Sequence, residues 1–238
     1  MAVNKLGILY LIPTTLGEMD AELVLPQSVK TVVEKVDFYI VENEKSARKS
    51  IKAISPKKPQ PELKFFLLNK FTEPAKLPTY LTPCLNGLDM GILSDAGCPG
   101  IADPGAEVVK IAHEKKIKVV PLVGPSSILL ALMASGLNGQ SFAFNGYLPI
   151  DKAERKQEIK KLEKRSKDYV QAQLFIETPY RNGKMLEDLV SCLQPSTYLT
   201  VACDLTLPSE SIKTQRTAQW KNTQVDLDKR PCIFIIEA

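Results

Sequence analysis

The chain has 238 residues, of which 44% are hydrophobic and 24% are charged, and its formal net charge at pH 7 is +4. This composition is typical of a soluble globular protein with one or two domains, and the charge is too modest to prove a nucleic-acid partner. The longest apolar run, residues 128–134, is far too short for a membrane span, so no membrane association is expected.

Cysteine usage and the N-terminal sequence favour a cytoplasmic location. The cysteines are odd in number, no CxxC pair occurs and the only histidine is His113, so neither structural zinc nor a disulfide framework is expected. Residues 1–12 lead into a strand-like run without a small-residue cleavage site, which argues against a signal peptide. We predict no metal site. The five cysteines are Cys84, Cys98, Cys192, Cys203 and Cys232.

Strand-like and helical patterns alternate along the first half of the chain, which predicts a mostly parallel sheet with helices on both faces. Three prolines in residues 72–87 predict a short or broken helix there. The predicted strands are residues 6–12, 36–41, 63–68, 90–93 and 117–120. The predicted helices are residues 25–36, 45–53 and 106–116.

Residues 121–127 are rich in proline and glycine and mark a predicted boundary between two α/β domains, residues 1–121 and 122–238. Pro125 is expected to open a helix and Gly136 to close it. The other elements predicted for the second half are helices over 126–135, 151–168 and 182–193, and strands over 142–147, 170–176, 199–203 and 232–236.

The helix predicted over residues 151–168 is strongly charged, with eight basic and five acidic residues. Asp151 and Arg155, and likewise Glu163 and Lys167, stand at the i,i+4 spacing of helical ion pairs. Such a run is typical of a solvated helix face, and contact with an RNA backbone is the alternative.

The loop over residues 93–105 combines three glycines, two prolines and two aspartates directly after a buried strand. Asp103 is predicted to be the N-cap of the following helix, with Pro104 as its first residue. Similar small-residue loops follow strands at 13–17, 121–127 and 177–181. The chain has no G-x-G-x-x-G after its first strand, no Walker loop and no G-x-S-x-G elbow. The loops suit a ligand held by backbone groups and a cofactor that brings its own reactivity.

Seven segments of the chain carry a family resemblance. They occur in the order LIPTTLGE (11–18), VENE (41–44), LSDAGCPGIADPG (93–105), VGPSS (123–127), FNGYLP (144–149), FIETPYR (175–181) and DLT (204–206). With these segments the chain resembles the tetrapyrrole methylase superfamily and, within it, the ribosomal RNA small-subunit methyltransferase I group, which uses S-adenosylmethionine to methylate a cytidine 2′-hydroxyl. The residues at 93–105 and 175–181 are the specific parts of the match.

The resemblance implies two α/β domains with a cofactor cleft between them, a homodimer, and S-adenosylmethionine as methyl donor. RNA of the small ribosomal subunit would be the acceptor. The residues expected to bind the cofactor are Pro13, Asp95, Ala96, Gly97, Cys98, Ile101, Ala102, Ser126 and Ser127.

Three charged loop residues are candidates for activating a ribose hydroxyl, which is a weak nucleophile. Lys45 could lower the pKa of the hydroxyl, and Glu42 or Glu177 could take its proton. Two alternatives stay open: a methyltransferase of the same superfamily that acts on a small molecule or another non-RNA substrate, which the low net charge and short C-terminus favour, and a cofactor-binding protein without turnover.

Overall fold

The structure, a computed structural model, describes residues 5–238. The chain forms two compact units, unit 1 ending at Ser126 and unit 2 running from Ser127 to Ala238. Each unit contains a five-stranded sheet, which confirms the predicted α/β class. The boundary after residue 121, as a division between separately folding domains, stays a prediction. Residues 1–4, on which the argument against a signal peptide partly rests, lie outside the described residues.

The sheet of unit 1 is entirely parallel and has the strand order β3-β2-β4-β1-β5. Each strand matches one that its apolar run predicts. Parallel neighbours need long crossover connections, and helices fill them here. The strands are β1 Ile8–Ile12, β2 Phe38–Val41, β3 Lys64–Leu67, β4 Met90–Leu93 and β5 Lys118–Pro121.

Helices cover both faces of this sheet, because successive strand residues point to opposite sides. Tyr39 and Val41 pack with the first two helices, whereas Ile40 packs with the other three. The prolines of residues 74–83 leave two short helices in place of one, as predicted. The helices are α1 Gln27–Lys35, α2 Glu44–Ile54, α3 Leu77–Tyr80, α4 Thr82–Leu85 and α5 Ala106–Glu114.

The sheet of unit 2 has the order β6-β7-β10-β8-β9, and only β6 and β7 pair in parallel. Residues 204–210 join β8 to β9 and are too few for a crossover, so this pair is antiparallel. The sequence did not predict β9. The strands are β6 Phe142–Tyr147, β7 Ala172–Ile176, β8 Tyr198–Cys203, β9 Ser211–Arg216 and β10 Cys232–Glu237.

Two helices of unit 2 pack on the sheet through Ile159, Leu162, Met185 and Leu189, which share one core with Phe175 and other strand residues. A third helix of unit 2, Ser127–Ser135, contacts β8, β9 and β10. Every helix of residues 5–238 is too short or too polar to cross a membrane. The helices are α6 Ser127–Ser135, α7 Lys152–Tyr169, α8 Asn182–Cys192 and α9 Thr217–Trp220.

A buried ion pair joins α7 to α8. The Arg155 guanidinium donates to Asp188 Oδ2 from Nε at 2.9 Å and from Nη2 at 2.6 Å, and its Nη1 donates to the carbonyl of Ile150 at 2.7 Å. The i,i+4 spacing predicted that Arg155 pairs with Asp151, but Arg155 pairs with Asp188. Asp151 is instead the N-cap of α7.

A disulfide links Cys203 to Cys232, which stand opposite each other on β8 and β10. Cysteine spacing alone gave no reason to expect it, because pairing across two antiparallel strands depends on the register of the sheet. Cys84, Cys98 and Cys192 are free thiols.

Two aspartate or asparagine caps fix the starts of α2 and α7. Asn43 Oδ1 accepts from the N–H groups of Lys45 and Ser46, and Asp151 Oδ1 accepts from those of Ala153 and Glu154. We expect Asn43→Ala and Asp151→Ala each to lower the free energy of unfolding by about 1 kcal/mol. Urea denaturation measures this loss. Asn43→Asp, which keeps the acceptor oxygen, is the control, and equal loss in that variant would contradict the capping role.

Candidate functional site

The carboxyl edge of the unit 1 sheet contains a topological switch point. From β1 the chain moves toward β2 on one side of the sheet, and from β4 it moves to β5 on the other. Because β1 and β4 are neighbours, this change of direction falls between them. Open α/β sheets bind their ligands at the carboxyl edge beside such a switch point.

The loops after β1 and β4 are tied together by their backbones. The Thr14 N–H donates to the Gly97 carbonyl at 2.9 Å, and the Ser94 hydroxyl donates to the same carbonyl at 3.1 Å. Thr14 and Ser94 are both buried. These bonds hold the 94–98 turn in one conformation beside the end of β1.

The loop after β5 closes on the same turn. Gly97 has a φ of 76°, and a Cβ there would lie 3.1 Å from Leu16 Cδ2 and 3.2 Å from the Pro125 carbonyl oxygen. The Cys98 thiol donates to that carbonyl at 3.4 Å. A Cβ on Gly124 would come within 2.3 Å of the Pro13 ring, so only glycine fits against this proline.

Three carboxylates lie together on this edge, after β2 and β4. Burial, helped by the nearby Asp103 and Asp95 carboxylates, raises the pKa of Glu42 to about 7, while the Asp95 N–H donates to Glu42 and opposes the shift. Burial also raises the pKa of Asp103, although the N–H groups of Gly105 and Gly100 oppose the rise.

A single proton explains the contact between Glu42 and Asp103. Their carboxyl groups lie within hydrogen-bonding reach of each other, yet Asp103 Oδ2 is buried without a donor among the described residues if both are ionised. A proton on Glu42 supplies that donor. Such a group can hold or release a proton near neutral pH, as an acid–base catalyst must.

Asp103 is not the N-cap of α5. The helix begins at Ala106 with Gly105 as its N-cap, and Asp103, two residues before this cap, accepts from the Gly105 N–H at 3.1 Å through Oδ1. The Asp103 carboxyl group also lies within hydrogen-bonding reach of Glu42. Position in sequence favoured the cap, and the acid pair could not be predicted, because it depends on the adjacency of β2 and β4 in the sheet.

The structure brings together most of the predicted cofactor residues of unit 1. Pro13, Gly97 and Cys98 lie in the three joined loops. Asp95 is exposed at the start of the turn, where the Ser46 hydroxyl donates to it at 2.5 Å. Ser126 is half-buried, and Ser127 is the first residue of α6. Ala96, Ile101 and Ala102 are exposed on the stretch between β4 and α5, and Ala102 has a positive φ of 57°.

The predicted catalytic residues belong to both units. Glu42 follows β2, and Lys45 is exposed in the first turn of α2. Glu177 belongs to unit 2, where it is buried and accepts from Arg181 Nη2 and from the Thr178 N–H, both at 2.6 Å. The i,i+4 spacing of Glu177 and Arg181 is the signal in the sequence that could have predicted this ion pair.

Solved structures with the same fold are tetrapyrrole methylases. The methyltransferase CobJ matches 97% of this chain and 94% of its own, with a TM-score of 0.64 and 14% identity. A uroporphyrin-III C-methyltransferase from Thermus thermophilus, solved in complex with S-adenosylhomocysteine, covers 97% of both chains with a TM-score of 0.57 and 15% identity. The fold is thus that of the tetrapyrrole methylase class. No protein-family model matches the chain.

Sequence relatives narrow this class. The ribosomal RNA small subunit methyltransferase I of Vibrio cholerae is 32% identical over 88% of this chain and 69% of its own length. The enzymes of the same name from Synechocystis sp. and Escherichia coli O157:H7 are 31% and 29% identical, over 84% and 99% of this chain and 68% and 79% of theirs. The chain belongs to the ribosomal RNA small subunit methyltransferase I family. The predicted enzyme class, an S-adenosylmethionine-dependent methyltransferase, is confirmed.

Proposed function

We propose that this chain methylates a ribose 2′-hydroxyl in the RNA of the small ribosomal subunit. Family membership carries the proposal, since the relatives are named for that subunit. The chemistry of unit 1 supports it. A ribose hydroxyl must lose its proton as it attacks the methyl group, and Glu42 is a proton acceptor with a pKa of about 7.

The joined loops of unit 1 fit the cofactor because they offer backbone groups on small residues. Gly97 and Gly100 both have positive φ, and a Cβ on Gly100 would meet nothing within 4 Å. When bound, S-adenosylmethionine supplies an electrophilic sulfonium methyl group. In this proposal the residues that hold it are Pro13, Asp95, Ala96, Gly97, Cys98, Ile101, Ala102, Ser126 and Ser127.

Glu42 is the proposed proton acceptor. Its partner Asp103 holds the carboxyl group in place, and the Asp95 N–H bonds to it from the 94–98 turn. Lys45, exposed in the first turn of α2, is the proposed cation near the acceptor oxygen. Glu177 forms an ion pair with Arg181, and this contact favours a role for Glu177 in stabilising the 177–181 loop.

The proposal includes a homodimer in the cytoplasm, where bacterial ribosomal subunits are made. Light scattering coupled to size-exclusion chromatography tests the dimer. A monomeric mass across the working concentration range would contradict it.

Methyl transfer to undermethylated small ribosomal subunits tests the function. With radiolabelled S-adenosylmethionine, we expect label in the RNA and, after digestion to nucleosides, in a ribose-methylated nucleoside. Label only in a small-molecule fraction of cell extract would support the alternative substrate class. Cofactor binding without any transfer would support a protein that has lost turnover.

A further inference from the structure

Helix α7 has one face in the core and two exposed flanks. Arg155, Ile159, Leu162 and Ser166 are buried at helical spacing. The remaining side chains of this 18-residue helix are exposed or half-buried. The charges on its two flanks are not mixed evenly.

One flank carries a row of lysines. At about 100° per residue, Lys156, Lys160, Lys164 and Lys167 fall within one third of the helix circumference. We call these four residues the lysine stripe. It spans about 16 Å along the helix at about 1.5 Å per residue.

The other flank is balanced in charge. Lys161 pairs with Glu158 at 3.1 Å, and Arg165 and Glu154 lie on the same side of the helix, further along its axis. Glu163, the acidic residue nearest the lysine stripe, is occupied: it accepts from the Gln194 N–H at 2.7 Å and from the Thr197 hydroxyl at 2.5 Å. Two ion pairs reach the stripe, Lys164 to Asp168 at 3.6 Å and Lys156 to Asp188 at 3.9 Å.

We propose that the lysine stripe binds the sugar–phosphate backbone of the RNA that this enzyme methylates. The inference rests on the proposed function and assigns a surface to its substrate. Charge complementarity carries it, because a straight row of lysines presents several cations to the closely spaced phosphates of one strand.

An anionic membrane surface fits α7 less well. A helix that lies on a bilayer buries its own apolar face among the lipids. In α7 that face is already in the core of unit 2, where Ile159 and Leu162 pack with Met185 and Leu189.

Two double variants of the full chain test the stripe against the opposite flank. Lys160→Gln with Lys164→Gln removes two charges from the stripe, and Lys161→Gln with Arg165→Gln removes two charges from the balanced flank. The probe is a short single-stranded RNA, whose affinity is measured at several salt concentrations. In the stripe variant, we expect the slope of log affinity against log salt to flatten by up to about 1.4, or about 0.7 for each phosphate contact.

The control variant should keep nearly the wild-type slope, and both variants should bind S-adenosylmethionine as the wild type does. If the slope of log affinity against log salt flattens equally in both variants, the net charge of the protein and not the lysine stripe determines RNA binding, and the proposal is wrong. An unchanged slope in the stripe variant, with wild-type methylation of RNA intact, would overturn the stripe alone. Absence of RNA binding and methylation in the wild type would overturn the proposed function as well. Salt-sensitive binding to phosphatidylserine vesicles that only the stripe variant loses, without an effect on RNA, would assign the surface to membranes instead.

Discussion

Glu42→Gln is expected to slow methyl transfer by about 100- to 10,000-fold, the usual contribution of a general base. Glutamine keeps the size and polarity of the side chain, but it cannot accept the proton of the acceptor hydroxyl. Single-turnover methylation with radiolabelled S-adenosylmethionine measures the loss. The affinity for the cofactor, measured by calorimetry, should stay close to that of the wild type.

The pH dependence of the methylation rate provides a second test of Glu42 as the proton acceptor. Since the pKa of Glu42 lies at about 7 in the folded protein, the wild-type rate should rise with pH until the carboxyl is ionised near neutrality. Glu42→Gln should lose this acidic limb. Asp103→Asn removes a neighbouring negative charge and should move the limb to lower pH, although burial, the main cause of the raised pKa, remains.

Stability provides an independent measurement on the same variant. The pKa of Glu42 rises from an ordinary 4.5 to about 7 on folding, so the folded state holds the proton more tightly. Above pH 4.5 the folded protein is therefore destabilised relative to a variant without this carboxyl, and the full difference is reached above pH 7. Glu42→Gln should unfold at a higher temperature than the wild type at pH 8, with the difference vanishing below pH 4.5. Lower stability at pH 8 together with lost activity would mean that the variant damages the fold.

Gly97→Ala is expected to weaken S-adenosylmethionine binding by about tenfold or more. The new methyl group would press on Leu16 and on the Pro125 carbonyl at 3.1–3.2 Å, so the turn or the loop after β5 must shift. A shift that breaks one or two backbone hydrogen bonds, each worth about 1 kcal/mol, corresponds to about that loss in affinity. Isothermal titration calorimetry measures it.

Gly100→Ala is the matched control, because Gly100 also has a positive φ but has nothing within 4 Å of a new Cβ. Both variants carry the same kind of backbone strain, so only the difference between them reports the contact at Gly97. Equal losses of affinity would attribute the effect to strain, and wild-type affinity in Gly97→Ala would remove the 94–98 turn from the cofactor site.

The sequence predicted the unit 1 sheet well because its strands appear as short apolar runs, and the central strands β2 and β4 are buried on both faces. Ile40 and Tyr39 pack on opposite sides, so no alternation of polar residues obscures β2. Strand β9 escaped prediction because it is an edge strand with one aliphatic residue, Ile212, among polar ones. Its pairing with β8 makes it a strand, and pairing is not a local property of the chain.

The candidate site, like the fold, could be predicted from the sequence only in part. Small-residue loops after strands predicted where Pro13, Gly97 and Cys98 lie, since glycine and proline carry local conformational information. The partners of Asp103 and Arg155 were not predictable. Asp103 pairs with Glu42 because β2 and β4 are neighbours, and Arg155 reaches Asp188 because α7 packs on α8. Such contacts depend on strand order and helix packing, which spacing along the chain does not contain.

The position of β1 at the interior of its sheet affects the order in which unit 1 can form during synthesis. β1 pairs with β4 and β5, so the first strand of unit 1 has both of its partners at the far end of the unit. One of its hydrogen-bonding edges stays open until β4 has been made, and the other until β5 has been made. By contrast, β8 and β9 meet through a short connection. Contacts between distant residues fold slowly, and unpaired strand edges favour aggregation. During synthesis, unit 1 therefore exposes an unpaired strand edge for longer than the β8–β9 pair does.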